Sequence, residues 1–330
     1  MILAVAALLS LSIGPTGITL AALPRVLTAI ATGATDPATA REQLVLIDIR
    51  LPRLPLGAFV GSALAVAGAI MQGMFRNPLA DPGLIGVSSG AALAAVATIA
   101  FGNGLALPLT GAFGSYAIPF AAFGGGITAT LVLVAVASRN GELAISTLLL
   151  AGIALAALAS ALTGLIAYAS DDRELRDLTL WMLGSLSGAS WPKLLAVLPF
   201  ALALALAVPR LVRGLNGLLL GEAEAFHLGV DVNATKRAVI LATSAAAGAA
   251  VAMAGIVGFV GIVVPHVVRL LAGPDHRVVL PGSALLGAAL VLAADVAGRM
   301  LVRPAELPLG VVMAIIGAPF FLHLVRRGAV

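Results

Sequence analysis

Long apolar runs without a single charged residue recur along almost the whole of this 330-residue chain. Residues 143–169 form one such run and residues 238–265 another. About 20 mainly apolar residues are enough for a helix to cross the hydrocarbon core of a bilayer, and runs of this length are too long for barrel strands. Because backbone polar groups in hydrocarbon must pair within the chain, the sequence predicts a bundle of membrane-spanning helices.

Composition supports this interpretation and narrows the functions that are possible. The chain is 61% hydrophobic and 10% charged, which leaves too few polar side chains to cover a soluble globule. Its 37 glycines favour close helix packing in lipid. It has no cysteine for disulfides or thiolate metal sites, and its scattered basic residues form no nucleic-acid-binding surface. We expect an all-α polytopic membrane protein with a single transmembrane domain over 1–330.

The apolar runs predict about ten spans separated by polar loops. Their limits are 2–22, 55–75, 84–101, 115–138, 143–169, 191–209, 236–256, 259–272, 279–298 and 307–325. The predicted loops are 36–53, 76–82, 139–142, 170–177, 210–235, 273–277 and 299–306. We interpret the first run as a span and not as a signal peptide, because no charged segment precedes it.

Two similar motifs indicate an internal repeat. Residues 67–78 and 254–266 both combine an Ala-Gly step, a helix end with spaced glycines and a proline. The two copies would run in opposite directions through the membrane, as in the inverted repeats of transporters. We expect approximate repeats over 55–169 and 236–327.

Ordered motifs extend from Arg50 to Arg327. They are RLPR at 50–53, QGMFRNPLADPGLIG at 72–86, GFVGIVVPH at 258–266 with Arg269, DHR at 275–277, AD at 294–295 with Arg299, ELPLG at 306–310 and GAPF at 317–320. In this order and spacing they resemble the FecCD-type permeases of type II ABC importers for iron-siderophores, haem and vitamin B12. The resemblance is closest in appearance to the haem importer permeases.

This resemblance implies the type II ABC importer permease fold with ten helices and an inverted repeat. It also implies a homodimer with its pore on the two-fold axis, two copies of a separate ATP-binding subunit, a periplasmic substrate-binding protein and a multi-pass location in the bacterial inner membrane. The lysines Lys193 and Lys236 lie in no nucleotide-binding G-x-x-x-x-G-K-[ST] context. We therefore expect a permease without catalytic residues, metal site or permanently bound cofactor.

Three arginines are candidates for docking the binding protein. The resemblance places Arg50, Arg53 and Arg299 at the periplasmic mouth, where they would meet glutamates of that partner. A guanidinium suits this role because it binds carboxylates in a bidentate manner and keeps its charge. The alternative is that these arginines anchor helix ends at the lipid headgroups.

The segment 214–232 resembles the cytoplasmic coupling segment that contacts the ATPase. Its predicted contact residues are Glu222, Glu224, His227, Leu228 and Gly229. A solvated loop without such a role is the alternative.

The resemblance favours haem as the transported substrate. Arg173 and Arg176 are three residues apart, so a helical turn would place both on one face, where they could receive two propionates. Pairing with the neighbouring acids is the alternative. Met71, Gln72, Met74 and Tyr168 could line an apolar path, although such residues also serve ordinary helix packing.

Two other functions remain as alternatives. One is a permease for a ferric siderophore or vitamin B12. The other is an ion-coupled secondary transporter, which would usually carry an ionisable residue deep in a span. Asp295 is the strongest candidate for that residue, but Arg299 lies one helical turn away and pairing of the two is the simpler account.

Overall fold

The structure is a computed structural model that describes residues 1–33, 36–102, 107–139 and 142–326. Within these residues the regular structure is helical apart from one short hairpin. The helices are Ile2–Ser12 (α1), Leu23–Thr32 (α2), Pro37–Gln43 (α3), Leu51–Phe75 (α4), Val87–Phe101 (α5), Leu107–Phe113 (α6), Ala117–Ala137 (α7), Ile145–Ala169 (α8), Asp172–Met182 (α9), Trp191–Leu220 (α10), Glu222–His227 (α11), Val232–Ala254 (α12), Val260–Ala272 (α13), His276–Leu301 (α14) and Leu309–Arg326 (α15). The hairpin strands are Ser138–Arg139 (β1) and Glu142–Leu143 (β2).

Short non-α turns complete some of these elements. A π-helical turn over Leu44–Arg50 joins α3 to α4, and 3₁₀ turns occupy Leu20–Ala22, Pro82–Ile85 and Gly114–Tyr116. The repeats predicted over 55–169 and 236–327 and the single domain predicted over 1–330 stay predictions. Residues 327–330 lie outside the described part of the chain.

Helix α4 lies at the centre of the bundle. It packs against α10, α12, α13 and α14 and has buried side chains all round its axis, among them Leu56, Val60 and Ile70. A helix that is apolar on every face is stable only when other helices surround it. The core of the protein therefore forms around α4.

Glycines allow α4 to touch its neighbours backbone to backbone. A Cβ at Gly61 would overlap the Gly287 carbonyl of α14, and a Cβ at Gly68 would overlap the Gly261 backbone of α13. In lipid, where apolar burial gives little drive for helix association, such close approach provides van der Waals contact instead.

The described residues contain six helical segments long and apolar enough to cross a membrane. They are Pro37–Phe75, Thr110–Ala137, Ile145–Ala169, Trp191–Leu220, Val232–Ala254 and His276–Leu301. Five shorter apolar helices accompany them: Ile2–Ser12, Leu20–Thr32, Val87–Phe101, Val260–Ala272 and Leu309–His323. The fold prediction of an all-α polytopic membrane protein with about ten spans is confirmed.

Two predictions at the start of the chain are wrong. The predicted span 2–22 is broken, because Pro15 disfavours a helical residue before it and Gly17 adopts a positive φ of 72°. The predicted loop 36–53 is helical instead. Asp36 accepts a hydrogen bond from the Thr39 N–H, Pro37 occupies the first turn, and the helix continues through the π-helical turn into α4.

Three other predicted loops contain regular structure. Arg139 and Glu142 pair with each other in the hairpin, in which Ser138 also pairs with Leu143. Residues 172–177 begin α9, because Asp171 and Glu174 form a capping box. Residues 210–220 continue α10, whose 30 residues span about 45 Å and so exceed the roughly 30 Å hydrocarbon core.

A leucine at Gly61 tests the central packing. We expect Gly61→Leu to destabilise the protein by about 1–3 kcal/mol, since the new side chain would force α4 and α14 apart. Thermal unfolding in detergent measures the effect. Gly124→Leu is the matched control, because a Cβ at Gly124 meets nothing within 4 Å. An equal loss of stability in both variants would contradict the packing argument.

Candidate functional site

A charged network lies between the start of α4 and the end of α14. The Nη2 of Arg53 lies 2.7 Å from Oδ1 of Asp295 and 2.9 Å from Oε2 of Glu306. On the other side of Asp295, the Nε of Arg299 lies 3.1 Å from Oδ2. One carboxylate is thus shared by two arginines, and the pairing of Asp295 with Arg299 that the sequence suggested is confirmed.

Two arginines also hold the break after α1. Arg50 donates from Nη1 to the carbonyls of Leu11 at 2.7 Å and Ile18 at 2.8 Å. Arg299 donates to the carbonyls of Ser10 at 3.3 Å and Ile13 at 3.2 Å. The last carbonyls of a helix have no partner within it and carry partial negative charge, so cations stabilise them.

These contacts leave little of the three arginines exposed. Arg50, Arg53 and Arg299 are 3%, 6% and 4% exposed, respectively. They therefore do not lie among the headgroups as simple helix anchors. Their docking of a binding protein stays a prediction. The role of Glu306 was not predicted, because its contact with Arg53 joins residues that lie far apart in the chain.

A second candidate site lies around α11, at the far end of α10 from its first residue. Gly221 and Gly229 bracket this short helix with positive φ values of 118° and 75°. Ala225 and Val230 are buried against the bundle, while Phe226 is 72% exposed. The segment is therefore a short helix anchored to the bundle, while the choice between a coupling role and a solvated segment without one stays a prediction.

The predicted contact residues all lie on the exposed part of this segment. They are Glu222, Glu224, His227, Leu228 and Gly229. Their contact with an ATPase stays a prediction. Phe226, which the sequence analysis did not select, adds a large apolar side chain to the same surface.

A buried lysine ties α11 to the bundle. The Nζ of Lys236 on α12 lies 2.8 Å from the Glu222 carboxylate and 3.5 Å from the Leu143 carbonyl, which precedes α8. Lys236 is 5% exposed. A surface cavity of about 560 Å³ lies beside this tie, lined in part by Glu142, Phe226 and Asn233. The sequence around Lys236 excluded a nucleotide-binding motif but did not predict this role.

Hydrogen bonds also brace the start of α14. Asn216 of α10 donates to Asp275 at 2.7 Å and accepts from the backbone N–H of His276 at 3.0 Å. The N–H of Arg277 and the Asn216 amide hold the pKa of Asp275 below its usual range. The DHR motif at 275–277 therefore fixes α14 to α10.

The predicted path residues do not form one lining. Met71, Gln72 and Met74 are buried on α4, and Gln72 donates to the Gly261 carbonyl at 3.1 Å and binds Arg269. Tyr168 is 90% exposed at the end of α8. The structure gives the three α4 residues a packing role, and their contact with a solute stays a prediction.

Arg173 and Arg176 lie on α9, where both are exposed. In the described residues neither forms an ion pair, so the alternative that neighbouring acids neutralise them is not what the structure shows.

Asp295→Asn tests the structural weight of the arginine network. We expect a loss of about 3–5 kcal/mol, because the change leaves two buried guanidinium groups without their shared counter-charge. Thermal unfolding in detergent measures it. The control is Glu42→Gln, which removes the more exposed ion pair with Arg25 and should cost only about 0.2–1 kcal/mol. Equal stability of the two variants would contradict the network's role.

Similarity to known proteins extends over most of the chain. The FecCD transport family matches residues 2–327. The Hemin transport system permease protein HmuU of Yersinia pestis is 46% identical over 283 residues, which cover 86% of this chain and 83% of that protein. The Cobalamin import system permease protein BtuC of Halobacterium salinarum is 45% identical over 284 residues, covering 86% and 74%. The Vitamin B12 import system permease protein BtuC of Escherichia coli is 42% identical over 295 residues, covering 88% and 86%.

Solved structures agree with these relatives. An inward-facing conformation of a metal-chelate type ABC transporter superposes with a TM-score of 0.83 at 32% identity, covering 99% of this chain and 96% of that chain. PsaBC from Streptococcus pneumoniae in complex with Fab superposes with a TM-score of 0.54 at 15% identity, covering 86% and 94%, a likeness of fold alone. The protein has the type II ABC importer permease fold, and the chain belongs to the FecCD transport family of ABC importer permeases.

Proposed function

We propose that this permease imports haem as the membrane-spanning subunit of an ATP-driven transporter in the bacterial inner membrane. It works as a homodimer with two ATP-binding subunits and a periplasmic substrate-binding protein, and it catalyses no reaction itself. The observation that carries the proposal is α11, a short helix tied to the bundle through Lys236 and Glu222 while Phe226 and Leu228 face solvent.

The surface of α11 suits a protein partner. Phe226 and Leu228 are 72% and 57% exposed, and the acidic residues Glu222 and Glu224 lie beside them. Exposed apolar groups with a polar rim typically mark a protein interaction site. Since the chain has no nucleotide-binding motif, energy would enter here from a separate ATPase.

Lys236 would transmit movement of α11 into the bundle. Its ammonium contacts Glu222 of α11 and the carbonyl of Leu143, and it belongs to α12. A displacement of α11 would therefore reach α12 and the start of α8 through one buried group. This ion pair can do so because Lys236 is buried, and breaking the contact would leave its charge without compensation.

Docking of the binding protein would use the accessible end of the arginine network. The Glu306 side chain is 33% exposed, whereas Asp295 is buried at 3%. An incoming carboxylate from the partner would take the place of Glu306 on Arg53, with Arg50 and Arg299 holding the rim formed by the break after α1. Exchange of one carboxylate for another keeps the guanidinium neutralised.

The choice of haem depends on α9. Arg173 and Arg176 are exposed and have no ion pair in the described residues, so they are available for the two propionates of haem. Similarity to the Yersinia haemin permease supports haem. The almost equal identity to the Halobacterium cobalamin permease makes vitamin B12 the second candidate, whose acid groups are amidated and need no such cations.

Haem uptake tests the substrate. Proteoliposomes holding the permease, its ATPase and its binding protein should take up haem in an ATP-dependent manner. We expect Arg173→Ala with Arg176→Ala to lower haem uptake about tenfold, as the loss of charge-assisted hydrogen bonds predicts. Arg303→Ala, also exposed, is the control. Uptake of vitamin B12 but not of haem would support the importer function and refute haem as its substrate.

Substitution at the lysine tie tests the route of coupling. We expect Lys236→Met to reduce solute transported per ATP hydrolysed, because α11 would no longer move with α12 and α8. Lys236→Arg retains the charge and should preserve most of the ratio. Transport and ATPase rates measured in the same proteoliposomes give it. A Lys236→Met variant that folds and keeps the parental ratio would show that coupling takes another route.

A further inference from the structure

A groove runs along α12 between α7 and α10. It consists of two adjoining cavities of about 180 Å³ each, which share Pro119, Ala252 and Met253 as lining residues. One cavity is polar and contains Ser185, Ser187 and Lys193. The other is apolar and aromatic. We refer to the two together as the α7–α10 groove.

Small residues form the floor of this groove and aromatic residues form its walls. Ala249 and Ala252 of α12 are buried beneath it. Phe123 of α7 and Phe200 of α10 meet edge to face with ring centroids 4.9 Å apart. Phe120 is 53% exposed at the open side. The alanines leave a cavity of about 180 Å³ beside this ring pair, which has room for the first part of an elongated apolar group.

The two walls of the groove face the surroundings of the bundle. In the most apolar 18-residue stretch of each of these spans, only 11% of the α10 residues and 28% of the residues in the span that contains α7 are buried within the chain. In a chain that spans a membrane, helix faces of this kind contact lipid. The groove is therefore accessible from the bilayer.

Lys193 supplies an unneutralised cation at the polar end. In the described residues it forms no ion pair and no hydrogen bond, and it is half-buried. Its ammonium folds back over the loop, where a Cβ at Gly188 would lie 2.9 Å from Nζ. A lysine that only reached for water would extend away from the groove. The ammonium of Lys193 instead lies at the mouth of the groove.

The cation and the apolar wall lie along the same face of α10. Lys193, Ala196 and Phe200 line the groove from positions separated by three and four residues, which share a face of α10. Lys193 and Phe200 are about 10 Å apart along the axis. That spacing matches a phosphate at the interface and the upper part of an acyl chain below it.

We propose that the α7–α10 groove binds one anionic phospholipid. Its phosphate contacts the Lys193 ammonium with the hydroxyls of Ser185 and Ser187 alongside, and the upper part of one acyl chain lies over Ala249 and Ala252, on the Lys193 side of the Phe123–Phe200 ring pair. A lysine ammonium is a common phosphate ligand, and an anionic headgroup supplies the charge that no carboxylate of the described chain provides.

Photo-crosslinking tests the location. The full-length permease in nanodiscs is labelled with phosphatidylglycerol that carries a diazirine on its acyl chain, and labelled peptides are mapped. We expect labelling to concentrate on 116–123, 196–200 and 249–253. Labelling spread evenly over all lipid-facing helices, α8 included, would overturn the proposal.

Lipid retention in native mass spectrometry tests the headgroup contact. We expect Lys193→Met to weaken phosphatidylglycerol binding about tenfold, as loss of a charge-assisted contact predicts, with little change for phosphatidylcholine. Arg303→Met is the control for loss of an exposed positive charge. Equal binding by the parent and Lys193→Met would refute the site, as would displacement of the lipid by water-soluble glycerophosphoglycerol at equal concentration.

A second variant keeps the test decisive if Lys193→Met does not fold. Ala196→Phe fills the groove and leaves Lys193 in place. We expect it to abolish the labelling of 249–253 while the melting temperature stays within a few degrees of the parent. Unchanged labelling in this variant would show that the acyl chain lies elsewhere.

Discussion

Direct backbone contact between α4 and its neighbours is the constraint on which the rest of the bundle depends. At Gly61 and Gly68 the helix axes approach more closely than any side chain would allow. Because lipid tails are as apolar as leucine, helices in a bilayer gain little from merely hiding apolar surface from water. The close contacts provide dispersion attraction instead, and they place α13 and α14 so that their charged ends meet the ends of α4 and α10.

The charged groups follow from that arrangement. With α14 fixed against α4, Asp295 stands between Arg53 and Arg299, and the two guanidinium groups neutralise it. Arg299 and Arg50 also bind the carbonyls left free where α1 ends. At the far end, Lys236 joins α11, α12 and Leu143, two residues before α8, in a comparable way. Both ends therefore use buried cations to hold short, irregular segments against regular helices.

Hydropathy predicted most of the spans because the requirement for apolar length acts locally. Hydropathy gave wrong limits where a polar segment is nevertheless helical. The polar segment 36–50 is helical because Asp36 caps it and Pro37 starts it, and 210–220 is helical because α10 continues beyond the hydrocarbon. The arginines of the site were recognised from their motifs, but their burial was not predictable. The burial of Arg53 depends on two carboxylates that lie 242 and 253 residues further along the chain. A single sequence does not show that these residues are close in space. Lys236 was missed for the same reason, since Glu222 and Leu143 approach it only through the fold.

The length of α10 gives the protein a sensitivity to its surroundings. Its 30 residues extend about 45 Å, so one helix connects the polar end of the α7–α10 groove to α11 across the whole bilayer. Pro199 and Pro209 each remove one internal hydrogen bond from it, and a helix bends most readily at such positions. A thinner or thicker bilayer changes how far a long helix must tilt or bend to match its hydrophobic length. Hydrophobic mismatch at α10 therefore acts directly on the position of α11. Membrane thickness thus influences how α11 and the surface around it are oriented.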